Sequence, residues 1–204
     1  MTRQTTLLLA AAAAAMLAAC EKPKPVEKLA APAADAPGCD VARAYVADRL
    51  GRIKDKATIL IDVAGPDPQM INAVPVGGLT QKYDPTKDNA AGWPKDAPGA
   101  DLAQAWGAAA KVSPFAACRD FASVVTATGA AIGAVTPGEK PKKGEEELTQ
   151  MNFSVPVVSA DGNEGLLLEV GKTGQGQEIA MMVHLRKDKT GAWKEVDAMA
   201  PSLS

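Results

Sequence analysis

From Met151 to Met199 the sequence reads MNFSVPVVSADGNEGLLLEVGKTGQGQEIAMMVHLRKDKTGAWKEVDAM. Met151, Phe153, Val155 and Val157 alternate with other residues, as do Leu166, Leu168 and Val170, then Ile179, Met181, Val183 and Leu185; the last run goes from Trp193 to Met199. A period of two is that of a strand with one face on a core. Asp161-Gly162, Gly174 to Gly176 and Lys189 to Gly191 supply turn residues between the runs. The stretch predicts a four-stranded antiparallel meander.

Upstream the period lengthens. Ala42, Val46, Leu50 and Ile53 stand at helical spacing within Asp40 to Ile53, with Arg43, Asp48, Arg49 and Arg52 elsewhere around the wheel. Asp101 to Lys111 and Ser113 to Thr128 also read as helices, the second with Ser113 as N-cap, Pro114 in its first turn, and Phe115, Cys118, Phe121 and Val125 along it. Thr58 to Val63 is rich in β-branched residues and ends at Gly65-Pro66, so it reads as a short strand. Helices first and strands last predict an α+β domain in which N-terminal helices cover one face of the C-terminal meander. Two connections stand out. Glu139 to Glu147 is charged and reads as an exposed link, whereas Ala64 to Gly99 carries six prolines, Gly77-Gly78, Tyr83 and Trp93. A stretch of that length without regular structure is usually functional or disordered, and on the functional reading Tyr83 and Trp93 are the candidate partner-binding residues.

The first residues follow a different logic. Arg3 precedes an unbroken apolar run from Leu7 to Ala19, which ends in Leu17-Ala18-Ala19-Cys20. Thirteen residues at about 1.5 Å each fall short of the roughly 30 Å hydrocarbon core, so the run reads as an export signal rather than a permanent span. A leucine three positions before a cysteine, with two alanines between, resembles the lipobox of bacterial lipoproteins. The resemblance implies cleavage before Cys20, a diacylglycerol thioether on its sulfur and a fatty acyl chain, such as palmitate, on the new amine. Several acyl chains anchor firmly, since each buried methylene contributes roughly 0.8 kcal/mol. Glu21 stands where an aspartate retains such proteins in the inner membrane, so the resemblance implies a lipid anchor in the outer membrane, facing the periplasm.

The segment after Cys20, up to Pro37, is almost entirely Ala, Pro, Lys and Glu. Such a composition buries too little to offset its ordering entropy and reads as a tether that reaches up to about 50 Å; packing along the domain as an extended edge is the alternative. The expected organisation is therefore a signal peptide at 1–19, a lipidated N-terminus and linker at 20–37, and one globular domain at 38–204. With Cys20 lipidated, Cys39 and Cys118 remain as a pair in a compartment that permits disulfides. A bridge between them is one reading and two buried thiols the other.

The chain has 22 basic and 24 acidic residues, one histidine and three cysteines, which excludes a basic nucleic-acid binder and mechanisms that need two histidines. No metal-ligand spacing, no cofactor motif and no G-x-S-x-G nucleophile motif is present. Gly171-Lys172-Thr173 sits in a strand pattern without a following helix, so it is no phosphate loop. Gly129 to Gly133 reads as part of a small-residue helix. His184 shares a strand face with Glu178, Met182 and Arg186, opposite Ile179, Met181, Val183 and Leu185, and reads as a surface or sheet-face histidine. Leu185 to Asp197, with a turn glycine before a tryptophan strand, resembles the closing strands of cystatin-like and nuclear-transport-factor-2-like domains. Two functions compete, beside a third possibility, a purely structural spacer of the envelope. The first is a non-catalytic, lipid-anchored module that binds an envelope protein or component through Tyr83 and Trp93. The second is a cone-like domain that binds a small ligand or is weakly catalytic, with Asp62, Glu178 or His184 as acid or base.

Overall fold

The computed structural model describes residues 32–54, 59–67, 70, 76–86, 92–109, 112–133, 148–173 and 177–201. In chain order the elements are α1 (Cys39–Gly51), β1 (Leu60–Asp62), a 3-10 turn (Val76–Thr80), α2 (Ala100–Ala108), α3 (Pro114–Ala117) and α4 (Phe121–Ala127), then β2 (Ala131–Gly133), β3 (Leu148–Phe153), β4 (Val157–Val158), β5 (Glu164–Thr173), β6 (Glu178–Lys187) and β7 (Trp193–Met199). The strands form one mixed sheet in the order β2-β1-β3-β5-β6-β7, with β4 also paired to β5. The α+β class holds, and the sheet is mostly antiparallel. Its extent differs from a four-stranded meander. β1 pairs parallel with both β2 and β3, which carries the sheet outward by two strands.

The strand expected from Met151 to Val157 is broken into β3 and β4, both alongside β5. Pro156 has no N–H to give a ladder. At the break the Ser154 N–H donates to the Leu168 carbonyl at 2.9 Å, and the Leu168 N–H donates to Ser154 Oγ at 2.9 Å. A side-chain oxygen thus replaces the missing ladder acceptor. Gly38 packs against this kink with φ 90°, and a Cβ there would lie 2.1 Å from the Pro156 carbonyl oxygen, so only glycine fits.

Helices cover both faces of the sheet rather than one. Val41, Ala42, Tyr45, Val46 and Leu50 of α1 pack with Phe121 and Val125 of α4 against Met151, Phe153, Leu167, Val183 and Leu185. On the other face Leu102, Ala103 and Trp106 of α2, with Leu79 and Trp93, pack against Leu166, Leu168, Met182 and Met199. The unbroken run Leu166-Leu167-Leu168 is what a strand buried on both sides requires. Ser113 does cap the third helical stretch, accepting from the Phe115 N–H at 3.3 Å. That stretch splits into α3 and α4, because Cys118 is extended and Asp120 is left-handed at φ 55°. Ala131–Gly133, expected as helix, pairs as β2. The charged link at 139–147 and the turn at 174–176 lie outside the described residues.

A carboxylate sits in the middle of this core. Glu169 is buried in mid-β5, where it accepts from the Tyr45 hydroxyl at 2.5 Å and from Arg49 through Nε and Nη2 at 2.9–3.2 Å. Burial pushes the Tyr45 phenol far above its ordinary value, and the Glu169 charge adds to this. Arg49→Met leaves the carboxylate with the phenol alone. Urea unfolding is expected to register a loss of about 3–5 kcal/mol, against under about 1 kcal/mol for Arg52→Ala, whose pair with Glu195 is exposed.

Candidate functional site

Leu17-Ala18-Ala19-Cys20, the expected lipidation motif, precedes the first described residue, Pro32. Residues 32–37, expected as the end of a free linker, lie against the domain. The Ala36 N–H donates to the Ala117 carbonyl at 3.0 Å, the Arg119 N–H to Asp35 at 2.7 Å and Arg119 Nε to the Pro32 carbonyl at 3.3 Å. Arg43 pairs with Asp35 at 2.9 Å. The Arg43 guanidinium, followed by the Arg119 N–H, holds the Asp35 carboxyl below its ordinary range. The packed region therefore begins by Pro32 rather than at Gly38. Main-chain hydrogen bonds need no apolar side chains, so an Ala/Pro composition conceals them. A disulfide joins Cys39 at the start of α1 to Cys118 after α3, which closes the same corner.

The long connection separates its two aromatics. The Tyr83 N–H donates to the Trp93 carbonyl at 3.0 Å, and the Trp93 N–H donates to the Gln81 carbonyl at 2.9 Å. This bridge brings Gly92 so close that a Cβ would lie 2.6 Å from the Tyr83 nitrogen. Trp93 is fully buried, with its indole N–H donating to the Leu79 carbonyl at 2.7 Å. Its expected contact role is corrected accordingly, since a core indole offers nothing to a partner. Tyr83 remains half exposed.

After Trp93 the chain runs as a strap, Pro94–Pro98, across the ends of β6 and β7. Asp197 Oδ2 accepts the backbone N–H groups of Lys95 and Asp96 at 2.7 and 2.8 Å. The Asp96 carboxylate pairs with Arg186 at 2.6 Å, and Arg186 also holds Glu164 Oε1 at 2.7 Å. His184 is 0% exposed beneath the strap, with Nδ1 2.9 Å from the Asp96 carbonyl oxygen and its ring centroid 5.8 Å from that of Trp93. A carbonyl only accepts, so Nδ1 carries the proton. Nε2 has no hydrogen-bond partner, and its near neighbour is Glu164 Oε2 at 3.6 Å. A bulge between β6 and β7 falls immediately after the pairing of His184 with Asp197, a place where bulges re-aim side chains.

His184, Met182 and Arg186 do share a face, and Glu164 and Asp197 join them through register. Period-two spacing places Glu164 with Leu166 and Leu168, so the strand sequence carries half of that signal; the pairing register and the strap carry the rest. The expected acids are not brought to this histidine. Glu178 pairs with Lys172 at 3.0 Å at the other end of β6, and Asp62, on β1, accepts from Gln150 Nε2 at 3.2 Å. Among the described residues no group of three or more His, Cys, Asp or Glu is placed to hold a metal ion, and no helix is long and apolar enough to cross a membrane. No family model, no curated protein and no solved structure matches the chain.

The two aromatics should separate in a thermal or urea melt. Trp93→Ala is expected to remove about 3–5 kcal/mol, and Tyr83→Ala to stay within about 0.5 kcal/mol of the parent. The Arg186 guanidinium holds the Asp96 carboxyl below its ordinary range. Because the folded value is depressed, the stability this pair contributes is present above the ordinary carboxylate range and fades as pH falls through the lowered value. Parent and Asp96→Asn melting temperatures should therefore differ at neutral pH and converge below about pH 4.

Proposed function

We propose that the chain is an exported lipoprotein: cleaved before Cys20, lipidated on that sulfur, and held at the outer membrane with its α+β domain in the periplasm as a non-catalytic binding module. The observation that carries this reading is Leu17-Ala18-Ala19-Cys20 at the end of an apolar run preceded by Arg3. The disulfide between Cys39 and Cys118 supports it, since such bridges persist outside the reducing cytosol. Twelve positions separate Cys20 from Pro32, so the packed region stands at most about 40 Å from the lipid. The contact surface is the side that carries Tyr83, an exposed aromatic on a segment held by main-chain bonds. The partner is an envelope protein or component, with no nucleic acid involved; the chain's net charge of −2 supplies no attraction to a polyanion.

Intact mass of the membrane-extracted protein tests the anchor. The expected species starts at Cys20, carries diacylglyceryl and acyl groups, and lacks the two hydrogens lost in one disulfide. Cys20→Ser should leave an unlipidated chain. A mature species with no lipid, or with its N-terminus elsewhere, removes the lipoprotein reading. In the same extract, alanine at Tyr83 should change the set of envelope proteins cross-linked to the domain.

A further inference from the structure

Among the described residues two buried side-chain atoms lack a hydrogen-bond partner, Asn152 Oδ1 and His184 Nε2, and the second lies under the strap beside a carboxylate. Nδ1–H is committed to the Asp96 carbonyl, so a neutral His184 points the Nε2 lone pair at Glu164 Oε2, 3.6 Å away. Two acceptors then face each other in a site closed to water on the imidazole side, where an unmet polar atom is costly. One added proton removes the conflict: Nε2–H donates toward Glu164, and the pair becomes cation and anion. The carboxylate is already divided for this purpose, with Oε1 on Arg186 and Oε2 toward the histidine.

We infer that His184 and Glu164 form a proton-operated latch that tightens the strap, Pro94–Pro98, onto β6 and β7 when the imidazole is protonated. The strap depends on His184 directly, since the Asp96 carbonyl is bound by Nδ1 and the Trp93 ring packs on the imidazole. The charged groups around it are Glu164 from β5, Arg186 from β6, Asp197 from β7, and Asp96 and Lys95 from the strap. Arg186 is engaged by Asp96 and Glu164, and Asp197 by the Lys95 and Asp96 amides on Oδ2 and the Ala198 amide on Oδ1. Glu164 Oε2 is therefore the acceptor left for the new N–H. A metal ion is the poorer occupant, because among the described residues no group of three or more His, Cys, Asp or Glu is placed to hold one.

Hydrogen exchange of the Lys95 and Asp96 amides in the full chain reads the latch, with the Leu167 amide in mid-sheet as reference. Between pH 8 and pH 5.5 the protection of the two strap amides relative to Leu167 is expected to rise about three- to fivefold, the effect of an ion pair with one partly exposed member. Glu164→Gln supplies an amide N–H that donates to the neutral Nε2 at every pH, so its strap should be protected at pH 8 and gain nothing on acidification. The pH response should likewise vanish in His184→Asn if that variant folds. A parent strap whose relative protection does not change across this range overturns the latch, as does a Glu164→Gln strap that responds like the parent. Added zinc that protects the parent strap at pH 8 also overturns it, in favour of a metal site.

Discussion

The constraint on which this structure rests is that β5 is buried on both faces while carrying a carboxylate in its middle. Leu166 and Leu168 close one layer and Leu167 the other, which leaves Glu169 on the α1 side with no water to solvate it. Tyr45 and Arg49 answer it from the same face of α1, one helical turn apart. That arrangement fixes the rotation of α1 and its height on the sheet. It also fixes register. A slip of β5 by one residue would turn Glu169 toward Trp106 and Leu102 and put a leucine opposite Arg49. An apolar residue at 169 could fill the space, but it would tolerate more than one seating of the helix, so the charge acts as a marker of alignment as much as a source of stability.

How much of this was legible follows from what each signal depends on. The alternation in Met151–Met199 and the spacing of Ala42, Val46 and Leu50 are local, and they gave the class and the buried side of α1. The two-faced burial was also written in Leu166-Leu167-Leu168, but alternate residues alone hide it, because a run of three leucines satisfies a one-sided strand as well. The parallel edge was not legible. Three residues of β2 within an alanine- and glycine-rich run follow the composition of a small-residue helix, and only pairing with Leu60, Ile61 and Asp62 makes them a strand. Arg49 stands off the apolar spacing of α1, and its target is a buried charge, which hydrophobic spacing cannot register.

The same distinction separates Tyr83 from Trp93. Both stand in a proline-rich connection whose composition says surface, and composition averages over the residues that matter. Trp93 fills the space between Leu79 and the sheet, and its indole N–H finds the Leu79 carbonyl there, so it ties the connection to the core. Burial of that ring is what brings Pro94–Pro98 over His184. The histidine itself carried half a signal: its face was readable from the strand, whereas its enclosure depends on a segment far away in sequence.

The two layers then divide the work of the proposed anchored module. The chain enters at Pro32–Cys39, against Ala117, Arg119 and the disulfide, and Ala36 packs on the core of the α1 and α4 layer. A pull from the N-terminal side would meet hydrogen bonds to Ala117 and Asp35, an ion pair with Arg43 and a covalent bridge before it reached the sheet. Tyr83, the strap and His184 belong to the opposite layer, with Leu79 and Trp93. The sheet and its Glu169 clamp lie between them. On the proposed reading, a partner on the Tyr83 side and the load of attachment would fall on opposite faces of the sheet, the attachment side braced by the Cys39–Cys118 disulfide.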